Sequence, residues 1–156
     1  MTIRTLEETL PAHPFFQGFD EEVIALLAGC ARHVHFRPDE LVFRQGRPAQ
    51  HFYLVREGRI AIQVHDIAGG ASILDTVEAG EVLGFSWLVP PYRWVFDARA
   101  TVETRAVSFD AECLRAKCDA DPAVGYALLS RVATIMHDRL EAARVRLLDL
   151  YGQRSR

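Results

Sequence analysis

From Arg32 to Asp110 the apolar residues recur with a period of two, and glycine, proline or charged positions interrupt them every few residues. HVHF, LVF, HFYLV, RIAIQV, SILDTV, EVLGF, WVFDARATV and RAVSF are short β-branched or aromatic runs, separated by RPDE, RQGRPAQ, REG, IAGG and VPPY. Runs of this length and spacing predict strands of a small antiparallel sandwich or barrel. No other arrangement of the chain has to be invoked for this stretch, because a strand shows alternate side chains to opposite faces.

On either side the period becomes helical. Met1 to Cys30 carries short helical patterns, and in FDEEVIALLAGC an acidic first turn precedes Val23, Ile24, Leu26 and Leu27, with Gly29 as the stop. Asp110 is placed to cap a helix that ends before Pro122, and a long helix is predicted from about Asp121 to Tyr151. Along it Leu129, Val132, Met136, Leu140, Ala143, Leu147 and Leu150 recur at spacings of three and four. Part of that stripe is expected to pack on the sheet and part to pair with a second copy of the chain. The expected fold class is therefore α+β: a small antiparallel sandwich or barrel flanked by helices, with a long C-terminal helix. One domain is expected over residues 1–156, with N-terminal helices in 1–30, the strands in 32–110 and C-terminal helices in 110–151.

Charge and cysteine usage narrow the function. The 156 residues are 49% apolar, enough to bury a full core, and 18 basic against 21 acidic residues give a net charge of −3. That balance lacks the basic footprint of a nucleic-acid binder, and no helix-turn-helix pattern follows the long helix in this sequence, so no DNA partner is expected. The arginines after Asp121 (Arg131, Arg139, Arg144, Arg146, Arg154 and Arg156) are opposed by Asp121, Asp138, Glu141 and Asp149, which reads as a solvated helix face. No apolar run reaches the roughly 18 residues of a membrane span and none resembles a signal peptide, so no membrane partner and a cytoplasmic location are expected. Cys30, Cys113 and Cys118 form no CxxC pair and are expected to be reduced thiols.

The middle of the chain resembles the front half of a cyclic-nucleotide-binding domain, the effector module of the catabolite activator protein and of cyclic-nucleotide-dependent kinases and channels. The resemblance rests on LVFRQGRPAQHFYLVREGRIAIQV, in which Val42, Phe43, Gly46, Tyr53, Leu54, Val55, Gly58, Ile60 and Ile62 match the family's strand and turn pattern. AGEVLG, with Gly80 and Gly84, is similar to the start of the family's phosphate-binding cassette, and Ala98 to Asp110 is similar to the strands that leave it. The helical tail is similar to the family's lid and dimerisation helix, so the resemblance implies an antiparallel, jelly-roll-like β-roll over 32–110 flanked by helices, with a long C-terminal dimerisation helix. Such a resemblance implies a regulatory domain that senses a small-molecule effector.

Two positions depart from the family pattern. The family follows the glycine at Gly84 with a glutamate that accepts from the ribose hydroxyl, where this chain has Phe85. The family's phosphate-binding arginine falls at Trp94, with Arg93 one step away and on the opposite face of an extended segment. Five aromatics, Phe85, Trp87, Tyr92, Trp94 and Phe96, crowd this segment. Three readings stay open: a pocket filled by its own side chains, a pocket rebuilt for a flatter or less anionic ligand oriented by Arg93 or Arg99, and retained cyclic-nucleotide binding. The candidate ligand-binding residues are Gly84, Phe85, Ser86, Arg93, Trp94, Val95, Arg99 and, reaching in from the long helix, Arg144. The expected mechanism is that ligand shifts the long helix and changes the dimer surface offered to an unidentified protein partner.

Catalytic signals are weak. His33, His35 and Glu40 in HVHFRPDE resemble the HxHxxxxE motif of cupins, an alternative that would make the chain a metal-dependent enzyme. The second cupin histidine motif is missing, so His33 and His35 read as surface residues of an edge strand. Neither GxSxG, a P-loop nor HExxH is present. No catalytic residue, metal or cofactor is expected.

Overall fold

The computed structural model describes residues 5–154; Arg156 and the first four residues of the N-terminal helical pattern lie outside them. Helix α1 (Leu6–Ala12) opens with a reciprocal capping box between Thr5 and Glu8, and α2 (Glu21–Ala28) carries Glu21 and Glu22 in its first turn. Eight strands follow: β1 (Ala31–Phe36), β2 (Leu41–Phe43), β3 (His51–Glu57), β4 (Arg59–His65), β5 (Ala71–Glu78), β6 (Val82–Leu83), β7 (Asp97–Ala100) and β8 (Thr104–Asp110). They form two four-stranded antiparallel sheets, ordered β1-β8-β3-β6 and β2-β7-β4-β5. Helix α3 (Ala111–Ala120), capped by the Asp110 carboxylate, and the long α4 (Pro122–Arg154) close the chain. This is the antiparallel β-roll flanked by helices that the strand periodicity and the family resemblance together lead one to expect.

The alternation of the sequence fails in β3, where Phe52 to Val55 are all buried. Helices cover the outer face of this sheet. Phe52 packs against Phe15 at a ring separation of 5.3 Å, while its neighbour Tyr53 turns inward to Phe43 of the other sheet at 6.5 Å. The β3–β4 hairpin turns at Gly58 with φ +98°, and a Cβ there would lie 2.5 Å from the Glu103 carbonyl oxygen, so glycine is required.

Helix α4 divides its apolar stripe. Val124, Leu128 and Val132 are buried on the roll, whereas Leu129, Met136, Leu140, Leu147 and Leu150 are 45 to 60% exposed. Arg131 ties the helix to the N-terminal segment by donating to the carbonyls of Phe15 (2.5 Å) and Gln17 (2.7 Å).

The cysteine expectation is corrected by the tertiary structure. Cys30 and Cys113 are joined in a disulfide across 83 residues, with their Cα atoms 5.6 Å apart. The cause is the pairing of β1 with β8: Ala31 sits opposite Phe109, and the Asp110 amide donates to the Cys30 carbonyl at 2.9 Å. That register brings the residue before β1 against the first turn of α3. Cys118, half-buried, keeps a free thiol.

No helix among the described residues is long and apolar enough to cross a membrane.

Candidate functional site

The segment from Val82 to Phe96 builds a pocket between the two sheets and α4. After β6 the backbone turns at Gly84 with φ +93°, passes through a short 3-10 turn at Ser86–Leu88, and reverses at the cis Pro90–Pro91 bond. It then runs alongside the loop after β2. The Ala49 amide donates to the Tyr92 carbonyl (2.7 Å), the Trp94 amide to the Arg47 carbonyl (2.9 Å) and the Gly46 amide to the Trp94 carbonyl (2.8 Å). In this extended stretch neighbouring side chains face opposite ways. Trp94 turns inward and is 6% exposed; Arg93 turns outward and donates to the Gly46 carbonyl at 2.8 Å.

Inside, the Trp94 indole stacks on Phe43 with ring centroids 3.7 Å apart and planes 8° from parallel. Its six-membered ring comes so close to Gly84 that a Cβ on that residue would lie 2.8 Å from Cη2. Beside the indole a cavity of about 390 Å³ remains open. Its walls are aromatic and aliphatic, from Phe43, Phe85, Phe96, Val95, Leu83 and Met136, and its polar side chains are Ser86, Asp75 and Arg139. Asp97, buried just after Phe96, fixes the rim by accepting from the Gln45 amide (2.8 Å) and pairing with His65 (2.5 Å).

Of the predicted site residues, the structure gathers Gly84, Phe85, Ser86, Trp94 and Val95 around this cavity. It does not bring the three predicted arginines there. Besides the outward Arg93, Arg99 on β7 donates to the Asp39 carbonyl at 2.5 Å, and Arg144 is exposed and pairs with Glu141 at 3.2 Å. Arg144 lies five positions along the helix from the position that faces the pocket, which turns it well around the axis.

That position belongs to Arg139, which the sequence reading left among solvated charges. Its guanidinium donates to the Val82 carbonyl and lies over the Phe85 ring, 5.0 Å from the centroid. Burial pulls it below its ordinary value, against the raising influence of Glu81 and Asp75. The spacing becomes informative only once Val132 is known to be buried: Arg139 is seven residues, two turns, beyond it and so in phase with the packed face.

A larger groove, of about 640 Å³, runs between α4 and β5. Its walls mix Asp75, Glu81 and Asp138 with Arg131, Arg146 and Arg139, which stands between the two cavities. Arg131 is engaged by two carbonyls and Arg146 stands 3.6 Å from Asp75, so apart from Arg139 the cations of this groove already have partners.

The family model for the cyclic nucleotide-binding domain matches residues 33–121. The chain belongs to the cyclic nucleotide-binding domain family. It is 27% identical over 128 residues to a CRP-like cAMP-activated global transcriptional regulator of Mycobacterium tuberculosis, covering 82% of this chain and 57% of that one. It is 33% identical over 75 residues to the acetyltransferase Pat of Mycolicibacterium smegmatis, covering 48% of this chain and 22% of that enzyme. The chain thus spans little more than half of the one relative's length and about a fifth of the other's. Among crystal structures, a Geobacter metallireducens GS-15 protein named for cyclic nucleotide binding superposes with a TM-score of 0.77 at 26% identity. That match covers 89% of this chain and 99% of the other.

Within this cyclic nucleotide-binding domain, the histidines of the cupin-like motif lie on β1, the edge strand, and are exposed. His35 stands 2.7 Å from Glu103 and not against Glu40. Among the described residues no three His, Cys, Asp or Glu side chains gather to hold a metal ion.

Proposed function

We propose that this domain is a regulatory effector sensor with a degenerate phosphate cassette, that its ligand is flatter or less anionic than a cyclic nucleotide, and that its signal leaves as a protein contact through α4 of a homodimer. The observation that carries this reading is the stacked Trp94–Phe43 pair, which lies where the family pattern puts its phosphate-binding arginine. Loss of an arginine partner for a buried anion costs about 2 to 5 kcal/mol. Phe85 in place of the ribose acceptor adds about 1 to 3 kcal/mol for an unpaired hydroxyl. Together these move a micromolar site to about millimolar or weaker.

The cavity of about 390 Å³ beside the indole favours a ligand over a pocket closed by its own aromatics. The exposed apolar positions of α4 favour a second copy and a protein partner as the route of output. A relative that is an acetyltransferase supports an output not tied to DNA.

Calorimetry with cyclic AMP and cyclic GMP tests the reading. Neither nucleotide is expected to bind at micromolar concentration. A low-micromolar dissociation constant that Arg93→Ala abolishes would overturn it.

A further inference from the structure

Arg139 sits at the α4 end of the pocket with its charge incompletely answered. It donates to one carbonyl, that of Val82, and lies against the Phe85 ring; Glu81 and Asp75 act on it electrostatically, yet among the described residues no carboxylate stands close enough to form an ion pair with it. Arg146 has Asp75, and Arg131 has two carbonyls, so the contrast lies within one helix face. A half-buried guanidinium without an ion pair, on the wall of an apolar cavity, gains most from an anion that enters the cavity.

The surroundings narrow which anion. The planar guanidinium fork takes a carboxylate or a phosphate in two parallel hydrogen bonds, and a cyclic nucleotide would leave its ribose hydroxyl against Phe85, so the carboxylate fits better. Asp75 lines the same cavity, so a second negative charge on the ligand would meet repulsion. The Phe85, Trp94 and Phe96 rings lie in the remaining walls, where a flat apolar body is accommodated.

We propose that the pocket binds a planar aromatic monocarboxylate, whose acid group Arg139 receives and whose ring lies among Phe85, Trp94 and Phe96. The proposal rests on the reading that the cyclic-phosphate site is lost. It also supplies the link to α4. A carboxylate that takes the guanidinium competes with the Val82 carbonyl, which releases a tie between α4 and β6.

Binding of 1-naphthoate, its neutral isostere 1-naphthamide and cyclic AMP to the full chain, followed by tryptophan fluorescence and calorimetry, tests this. The acid is expected to bind about tenfold or more tightly than the amide. Arg139→Gln should bring the acid-to-amide ratio near one, Arg139→Lys should keep part of it, and Arg105→Gln should leave it intact. Thermal melts establish that each variant is folded. If Arg139→Gln is not folded, the ratio in wild type and in Arg139→Lys decides. Equal binding of acid and amide, binding of neither, or a ratio that survives Arg139→Gln would overturn the proposal while the loss of cyclic-nucleotide binding stands. Micromolar cyclic AMP binding would instead overturn the reading beneath it.

Discussion

The Trp94 indole occupies the space that any side chain at position 84 would need: a Cβ on Gly84 would stand 2.8 Å from Trp94 Cη2 and 3.0 Å from Cζ3. The ring cannot retreat, because its face is stacked on Phe43 at 3.7 Å. The pocket is therefore shaped by one glycine and one tryptophan acting together, and the glycine also holds φ at +93°.

Gly84→Ala should destabilise the domain by about 2 to 4 kcal/mol, the sum of overpacking and of a backbone angle that alanine resists. In a Trp94→Leu background the same change should cost about 1 to 2 kcal/mol, because only the backbone contribution remains. Urea unfolding of the four proteins in this double-mutant cycle measures the coupling. Additive losses would mean that the ring can move aside.

The exposed residues Leu129, Met136, Leu140, Ala143, Leu147 and Leu150 keep coiled-coil spacing along one side of α4. Met136→Glu with Leu147→Glu should give a monomer, since each places a charge in an apolar seam. Analytical ultracentrifugation reads the outcome. A wild-type chain that sediments as a monomer at micromolar concentration would sink the dimer.

The Cys30–Cys113 bond closes a long loop, which constrains the unfolded chain by about 2 to 4 kcal/mol. Reductant, or Cys30→Ser with Cys113→Ser, should lower the melting temperature accordingly. Under denaturing, non-reducing conditions alkylation should label Cys118 alone, and after reduction all three thiols. Three labelled thiols before reduction would show that the bond does not form.

His13 is buried, accepts from the Phe15 amide at Nδ1 (3.1 Å) and donates from Nε2 to the Val55 carbonyl (3.0 Å). Burial lowers its pKa from the ordinary 6.5 despite the raising effect of the Val55 carbonyl. The unfolded chain then takes up a proton that the folded chain refuses, so stability should fall as pH drops through about 6.5. His51, lowered by burial and by Arg32, acts in the same direction. Urea midpoints between pH 7.5 and pH 5 should show this slope, and His13→Gln should flatten it. An unchanged slope in that variant would assign the effect elsewhere.

Much of the fold was legible because its signals are local. The turn residues between strands, the Asp110 cap and the break at Pro122 each act within a few residues, and the structure has its strands and helices where they point. The pocket's aromatic wall was equally legible, since Phe85, Trp94 and Phe96 lie within one short segment. Arg139 was hidden for the opposite reason. It lies 54 residues beyond Phe85 in sequence and meets it only because α4 packs back over β6.

The sequence by itself determined the period of each element, the positions of the turns and the chemistry available to the pocket, because propensity and periodicity are properties of short windows. Tertiary structure alone decided which charges face the pocket and which cysteines meet. Arg93 faces out because the loop at Gly46 pairs with the backbone of Trp94 and fixes its register. Cys30 reaches Cys113 because β1 is registered on β8. Arg139 supplies the cation in place of Arg144 because helical phase, once Val132 is buried, turns one inward and the other to solvent.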